Sequence, residues 1–280
     1  MIERPEYLKK LISFRDKQLI KIVTGVRRCG KSTLFLLFQD YLVKNGTSAE
    51  QIQHINLDDI NNESLLDYRE LHRHIESRLV KGRMNYIFLD EIQNVKNFQK
   101  TLASLYIKKN TDIYVTGSNA YLFSGKIATL LTGRYIEIRM LPLSFKEYVS
   151  ALPDNTNLPE KYRDYLENSS FPYTLQFIAK PFRSASPPEN PEYRLGEGWN
   201  KNQIRQYLDS LYNTIVLKDI VERTNVKDVL QLGRVIKFMF NNIGRETSIN
   251  NIVNTMAADK QKVSHADVGL YLNALCDSYV

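Results

Sequence analysis

The sequence has few cysteines and no long apolar run. Only Cys29 and Cys276 occur among its 280 residues, too few for a disulfide framework or a cysteine-rich zinc site. No apolar stretch approaches the roughly 20 residues that span a bilayer. The first ten residues, MIERPEYLKK, carry charges where a signal peptide needs an apolar core. We therefore expect a cytoplasmic protein with no membrane association.

The chain also lacks a broad excess of positive charge. Its net charge is +7, but residues 1–45 hold ten Lys or Arg against four Asp or Glu, so the remainder is nearly balanced. Proteins that bind nucleic acid usually carry an extended basic face. DNA as a partner therefore receives little support from the charge distribution.

What the sequence does contain is the pattern G-x-x-x-x-G-K-[ST] at residues 25–32. The backbone N–H groups of such a loop, placed before a helix, cradle phosphate groups. Lys31 would reach the β- and γ-phosphate oxygens, and the Ser32 hydroxyl would bind Mg²⁺. An apolar run before the loop predicts a buried strand, and the residues after it predict a helix. We expect the nucleotide to contact Gly25, Val26, Arg27, Arg28, Cys29, Gly30, Lys31, Ser32 and Thr33.

Cys29 occupies a variable position of this pattern. We interpret it as a residue that the loop tolerates. The alternative is a redox-sensing thiol, which would have to be accessible and readily ionised.

A second apolar strand, residues 85–93, ends in Asp90 and Glu91. Asp90 would hold Mg²⁺ opposite Ser32. Glu91 would polarise the water that attacks the γ-phosphate, either as a general base or as an orienting group. An apolar strand that ends in Asp-Glu downstream of a phosphate loop favours hydrolysis over transfer to a small molecule.

The strand predicted at residues 112–119 ends in polar residues. It would lie beside the Asp90 strand if the sheet is parallel and doubly wound. Ser118 or Asn119 would then sense the γ-phosphate or hold the attacking water, and the sequence does not choose between them. The alternative is that they cap the helix that follows.

Arg134 stands between a predicted helix and the strand predicted at residues 135–141. In oligomeric ATPases an arginine in this position reaches the γ-phosphate of a neighbouring subunit. That interpretation predicts a homo-oligomer formed through Arg134. The alternative is an exposed arginine at a helix C-terminus.

Five segments in order, GVRRCGKSTL, FLDEIQ, TGSNAYL, TGRYIEI and LPLSFKEY, resemble the bacterial and archaeal AAA-type ATPases that carry a C-terminal DUF4143 domain. The resemblance implies a three-layer α/β P-loop NTPase core with a parallel sheet, and then a winged-helix region. It implies ATP rather than GTP, and no guanine-reading N-K-x-D occurs. Where the family has Gly-Gly-Phe-Pro, this chain has Ser-Ser-Phe-Pro at residues 169–172. The family continues into a nuclease-like module that we expect to be absent here.

We predict a P-loop ATPase domain over residues 1–150, a linker with a mobile Pro-rich loop over 151–200, and an all-helical region over 201–280. The last three predicted helices suggest a helix-turn-helix within an incomplete winged helix. The final helix has no Lys or Arg, so we favour a protein-contact role over DNA reading. The expected function is Mg²⁺-dependent ATP hydrolysis. The alternatives are a nucleotide-gated switch with slow turnover and a DNA-associated motor.

Overall fold

A parallel five-stranded sheet forms the centre of the first compact unit. The computed structural model describes residues 2–118, 131–178, 201–221, 226, 228–258 and 263–278. The strand order is β2-β3-β4-β1-β5, and every neighbouring pair is parallel. The predicted pairing of β3 with β4 is confirmed. The strands are β1 (Ile20–Thr24), β2 (Ile52–Asn56), β3 (Asn85–Asp90), β4 (Thr111–Gly117) and β5 (Tyr135–Arg139).

The burial of each strand follows its place in the sheet. The three inner strands, β1, β3 and β4, are buried on both faces almost throughout. A strand that is covered on both faces needs apolar residues at nearly every position, and such continuous apolar runs predict these segments as buried strands. The edge strands β2 and β5 are buried at alternate or scattered positions.

Helices cover both faces of the sheet. On one face, Phe88 and Tyr114 stack 4.8 Å apart, and each contacts aromatic residues of the helix that follows the phosphate loop. On the other face, Ile87 and Ile113 pack with the apolar sides of two further helices. The predicted three-layer α/β architecture is confirmed. The four helices are α1 (Pro5–Ser13), α2 (Lys31–Lys44), α3 (Tyr68–Ser77) and α4 (Phe98–Tyr106).

The chain consists of two compact units, Met1–Gln206 and Tyr207–Val280. Part of the predicted linker is folded within the first unit, because helices and an aromatic cluster follow β5. The predicted Pro-rich loop, residues 181–200, lies outside the described residues, so the domain boundaries stay a prediction. The helices after β5 are α5 (Phe145–Ser150), α6 (Leu158–Asn168) and α7 (Pro172–Ile178).

The C-terminal unit is helical over the residues described. Ser248 and Ser264 each accept a hydrogen bond from the backbone N–H group three residues later, and each therefore caps the helix that follows it. The described residues from 201 onward contain no strand, and the winged helix therefore stays a prediction. No described helix is long and apolar enough to cross a membrane. The helices are α8 (Lys201–Thr214), which runs into a π-helical stretch (Ile215–Val221), α9 (Val229–Asn241), α10 (Ile249–Ala258) and α11 (His265–Asp277).

A buried ion pair joins β1 to β4 on the face that α2 covers. The ammonium of Lys21 contacts the carboxylate of Asp112, and both side chains are almost fully buried. Asp112 also accepts hydrogen bonds from the Tyr114 hydroxyl, at 2.7 Å, and from the backbone N–H of Asp16, at 2.8 Å. Because its charges have these partners, the pair is tolerated inside the sheet.

We expect Asp112→Ala to lower the free energy of unfolding by about 3–5 kcal/mol, since it leaves the Lys21 ammonium buried without its partner. Chemical denaturation followed by circular dichroism measures this loss. The control is Glu70→Ala, which removes the partner of the exposed Arg73 and should cost about 1 kcal/mol or less. Equal losses in the two variants would contradict the importance of the buried pair.

Candidate functional site

The loop between β1 and α2 has the backbone geometry that its glycines predict. Gly25, Arg28 and Gly30 have φ angles of 148°, 62° and 104°, all in the left-handed region. A Cβ atom built on Gly25 would lie 2.1 Å from the carbonyl oxygen of Met140. Gly25 is therefore required for space as well as for its torsion angle, whereas Gly30 is required for torsion alone.

Lys31, the first residue of α2, has its ammonium inside the curve of this loop. The side chain is 4% exposed, and Nζ donates hydrogen bonds to the carbonyl oxygens of Gly25, at 2.9 Å, and Val26, at 3.2 Å. Arg28 is exposed, while Arg27 is half-buried. The Lys31 ammonium therefore lies at the centre of the loop, where it can exchange these two carbonyl oxygens for the oxygens of a bound anion.

Cys29 faces the protein interior. Its side chain is fully buried, and burial raises the pKa of the thiol, although the nearby Lys31 and Arg4 act in the opposite direction. A buried thiol that ionises less readily than a free cysteine is a poor redox sensor. The interpretation of Cys29 as a tolerated loop residue is favoured.

Asp90 lies at the end of β3 and meets Ser32 across the site. Side chains alternate along a strand, so Asp90 shares the α2 face of the sheet with Phe88. Its Oδ1 accepts a hydrogen bond from Thr116 Oγ1 at 2.6 Å, and its carboxylate is also hydrogen-bonded to Ser32 and His54. Burial alone would raise the pKa of Asp90, but these hydrogen bonds outweigh it and lower the pKa. The carboxylate is therefore ionised at neutral pH.

Glu91 follows with a left-handed backbone, at φ 54° and ψ 49°. Its N–H donates to Thr116 Oγ1 at 2.9 Å, which anchors this strained residue to β4. Its carboxylate accepts from the Ser118 hydroxyl, 2.8 Å from each oxygen, and from the Gln93 amide. The structure thus brings Glu91 and Ser118 together as the sequence predicted. Asn119, and the helix that it would cap, lie outside the described residues.

Two cavities adjoin the loop. The smaller, about 260 Å³, contains the side chains predicted to handle phosphate and is lined by Arg28, Gly30, Lys31, Ser32, Thr33, Glu91, Pro172 and Tyr173. The larger is about 600 Å³ and shares three lining residues with it. A ligand with a charged and a less polar end can therefore extend from one cavity into the next. The larger cavity is lined by Ile2, Glu3, Arg4, Gly30, Thr33, Leu143, Ser150, Ala151 and Pro172.

Arg4 is a site residue that sequence reasoning missed. Its guanidinium is 3% exposed and donates to Glu147 Oε1 at 2.7 Å, to the Cys29 carbonyl at 3.1 Å and to the Leu141 carbonyl at 2.7 Å. It therefore ties the phosphate loop to the segment after β5. No motif or spacing links these residues, and only the fold brings them together.

His54 and Gln39 were also missed. His54 Nε2 lies 3.4 Å from Asp90 Oδ2, and its Nδ1 lies 3.1 Å from Gln39 Nε2 on α2. The imidazole therefore connects α2 to the carboxylate at the end of β3. A polar residue within a predicted strand was the available signal, but it did not indicate which neighbour the side chain meets.

Arg134 is not brought to this site within the same chain. It is exposed and immediately precedes β5, where its carbonyl accepts a hydrogen bond from Ile20 N–H at 2.8 Å. Because β5 and β1 are parallel, Arg134 lies at the amino-terminal ends of the strands, whereas the phosphate loop follows the carboxyl end of β1. The guanidinium carbon lies 5.4 Å from the centre of the Tyr106 ring. Any contact between Arg134 and a γ-phosphate would have to be made with another subunit.

Comparisons with known proteins agree with this geometry. Residues 17–149 match the family described as an AAA domain. An uncharacterized protein of Haemophilus influenzae is 34% identical over 284 residues, which cover 100% of this chain and 66% of that protein. An uncharacterized protein of Methanocaldococcus jannaschii is 30% identical over 265 residues, covering 93% and 55%. The chain thus spans between about half and two thirds of the length of these relatives.

A solved structure shares the fold. The Walker-type ATPase of Pyrococcus abyssi matches with a TM-score of 0.64 over 99% of this chain and 90% of that one, at 14% sequence identity. At this identity the likeness concerns the fold alone.

Gly25→Ala should weaken ATP binding by about 100-fold or more, because the new methyl group would collide with the Met140 carbonyl and displace the loop. Equilibrium dialysis with labelled ATP measures the affinity. Gly46→Ala is the matched control, since Gly46 also has positive φ, at 89°, but has open space around it. It should cost about 1 kcal/mol of stability and leave ATP affinity unchanged. Unaltered ATP binding by Gly25→Ala would refute the role of this loop.

Proposed function

We propose that residues 17–149, which match the family described as an AAA domain and lie within a fold shared with a Walker-type ATPase, bind ATP with Mg²⁺ and hydrolyse its terminal phosphate. The main support is the meeting of Ser32 and Asp90 in one hydrogen-bonded group. Glu91 lines the same small cavity as Lys31 and Ser32. These are the positions that metal binding, phosphate binding and water activation require.

Phosphate binding rests on the loop and on Lys31. On ATP binding, the Lys31 ammonium exchanges the carbonyl oxygens of Gly25 and Val26 for oxygens of the β- and γ-phosphates. The N–H groups of the loop and the first turn of α2 add further donors, and the positive end of the helix dipole favours the anion. Of the remaining loop residues, Arg28 and Thr33 line the phosphate cavity and are proposed to contact the ligand.

Ser32 and Asp90 fit a magnesium ion. A hydroxyl and an ionised carboxylate are the hard oxygen donors that Mg²⁺ prefers. In the part of the chain that the structure describes, no group of three or more His, Cys, Asp and Glu could hold a metal. Magnesium sites usually combine one or two protein ligands with substrate phosphates and water, and Ser32 and Asp90 would be the protein ligands here. When bound, the ion would neutralise charge on the phosphates. His54 and Thr116 keep the Asp90 carboxylate oriented for it.

Glu91 is proposed to receive the proton of the attacking water. As the water oxygen bonds to the γ-phosphorus, the bond from that phosphorus to the β–γ bridging oxygen breaks, and ADP leaves with that oxygen. Ser118 holds the Glu91 carboxylate in the described state and is the better supported sensor, while Asn119 remains a second candidate.

The larger cavity is proposed to hold the base and ribose. It opens beside the loop at Gly30 and Thr33. Glu3 and Arg4 line this cavity, so the N-terminal segment would border the base. The preference for ATP over GTP rests on the family resemblance. The winged helix and the link to DUF4143 proteins remain proposals.

A nucleotide-gated switch with slow turnover is the second candidate function. Lys31 is hydrogen-bonded within its own loop, and Glu91 is held by Ser118 and Gln93. A site whose two reactive side chains are already engaged must rearrange before the chemical step. That rearrangement could limit the rate and make the bound state long-lived.

Glu91→Gln should reduce phosphate release by about 100-fold or more while ATP affinity stays within about threefold, because the amide cannot accept the proton. A coupled phosphate assay and ATP titration measure the two quantities. Glu50→Gln, at an exposed site, is the control and should behave as the unmodified protein. Full turnover in Glu91→Gln would reject this role. Tight Mg·ATP binding with no turnover in the unmodified protein would favour the switch.

Arg134 is proposed to complete the site of a neighbouring subunit in a homo-oligomer. Arg134→Ala should retain ATP binding but lose about 10³-fold in turnover. In an equal mixture with Lys31→Ala, half of the subunits keep Lys31, and half of these face a neighbour with an intact Arg134. The mixture should therefore recover about a quarter of the original rate per subunit. Phosphate release by equal mixtures measures this.

Arg83→Ala, at an exposed position, is the control for loss of a surface arginine and should keep full turnover. No recovery in mixtures that co-assemble would rule out action between subunits.

A further inference from the structure

A second cleft, about 260 Å³ in volume, lies between α3 and α4, on the opposite face of the sheet from α2. None of its lining residues belongs to the phosphate site. All its charged lining residues are cationic, and hydroxyl and imidazole groups make up most of the rest. The cleft is lined by Tyr68, Arg69, His72, Arg73, Lys100, Thr101 and Ser104.

Two of these cations share one aromatic ring. The Arg69 guanidinium carbon lies 5.3 Å from the centre of the Tyr68 ring, and Lys100 Nζ lies 5.1 Å from it. Within the described part of the chain, neither Arg69 nor Lys100 has a carboxylate partner, whereas Arg73 pairs with Glu70. The ring therefore holds two like charges near each other, and an anion between them would relieve their repulsion.

The walls of the cleft are fixed before any ligand arrives. Thr101 Oγ1 donates to the Tyr68 carbonyl at 2.7 Å, which joins the two helices at their first turns. Ser104 Oγ and His72 Nε2 lie 2.9 Å apart and form a second link. Beneath these polar contacts, α3 and α4 pack through the apolar core of the sheet. The cationic groups therefore extend from a rigid base, which reduces the entropy lost on binding.

The sequence conceals this arrangement because α3 contains acidic residues as well. Glu70 and Glu76 offset Arg69 and Arg73 in any count of charge along the helix. Once α3 is folded, Glu70 pairs with Arg73, and Glu76 lies 3.6 Å from His72, so both glutamates offset charge within the cleft. Arg69 of α3 and Lys100 of α4 have no carboxylate partner among the described residues, and a charge count along the chain does not show that the fold brings these two cations together.

From this geometry we propose that the cleft binds the phosphate backbone of a nucleic acid. An arginine fork and a lysine point charge, flanked by hydroxyl groups, match phosphate oxygens. The shallow, open shape fits a chain that passes across it better than an enclosed small molecule. The cleft lies towards the carboxyl ends of β2 and β3, and Asp90 is the last residue of β3. This inference does not depend on ATP hydrolysis.

The test is fluorescence anisotropy with labelled single-stranded and duplex DNA over a range of salt concentrations. Arg69→Ala/Lys100→Ala should weaken binding by about tenfold or more. It should also reduce the slope of log affinity against log salt by about 1.4 for single strands, since each lost phosphate contact removes about 0.7. The matched control is Lys44→Ala/Arg83→Ala, which removes two exposed charges at the opposite edge of the sheet and should change binding less than twofold.

Further arms separate this inference from the proposed function and from loss of folding. Arg69→Lys/Lys100→Arg should retain most of the DNA affinity, and ATP affinity should stay unchanged in every variant. Equal losses in the cleft variant and the matched control would overturn the proposal, as would a lack of DNA binding by the unmodified protein. Binding of pyrophosphate that depends on Arg69 and Lys100, without any DNA binding, would also overturn it and assign the cleft to a small phosphate ligand.

Discussion

The hydrogen bonds around Asp90 are the interaction on which the site depends. Thr116 of β4, Ser32 of α2 and His54 of β2 all meet this one carboxylate. These three side chains and Asp90 itself come from four different parts of the chain, and they meet only because the strands are parallel and in register. A buried carboxylate without such donors would be protonated or would destabilise the sheet. The same contacts that make Asp90 tolerable in the interior keep it ionised, as its proposed role in holding Mg²⁺ requires.

The phosphate loop is held from outside as well as from within. Lys31 stabilises its inner curve, and Arg4 holds the carbonyl of Cys29 from behind. Because Arg4 also binds Glu147, it connects the loop to the N-terminal cap of α5, where Ser144 and Glu147 form a capping box. Movements of the segment after β5 can therefore reach the loop through one guanidinium group.

Local patterns predicted the fold well, while the roles of the site residues stay a prediction. The inner strands were recognisable because burial on both faces demands continuous apolar residues, and Lys31, Ser32, Asp90 and Glu91 were named from two motifs that follow buried strands. Ser118 was expected beside the Asp90 strand if the sheet is parallel, and its contact with Glu91 follows from that arrangement. Arg4, His54 and Gln39 could not be predicted, since their partners are distant in sequence and no fixed spacing relates them. The cationic cleft was missed because it arises from the packing of two helices.

The aromatic layer between α2 and the sheet restricts how this protein can change shape. Phe35 and Phe38 interlock with Phe88 and Tyr114 at ring separations of 5 to 6 Å, so α2 cannot slide over the strands without separating several rings. The phosphate loop is therefore anchored to a stiff platform. Mechanical work drawn from a bound nucleotide would have to be delivered through segments outside this layer. One such segment is the start of helix α7, whose Pro172 and Tyr173 line the smaller cavity.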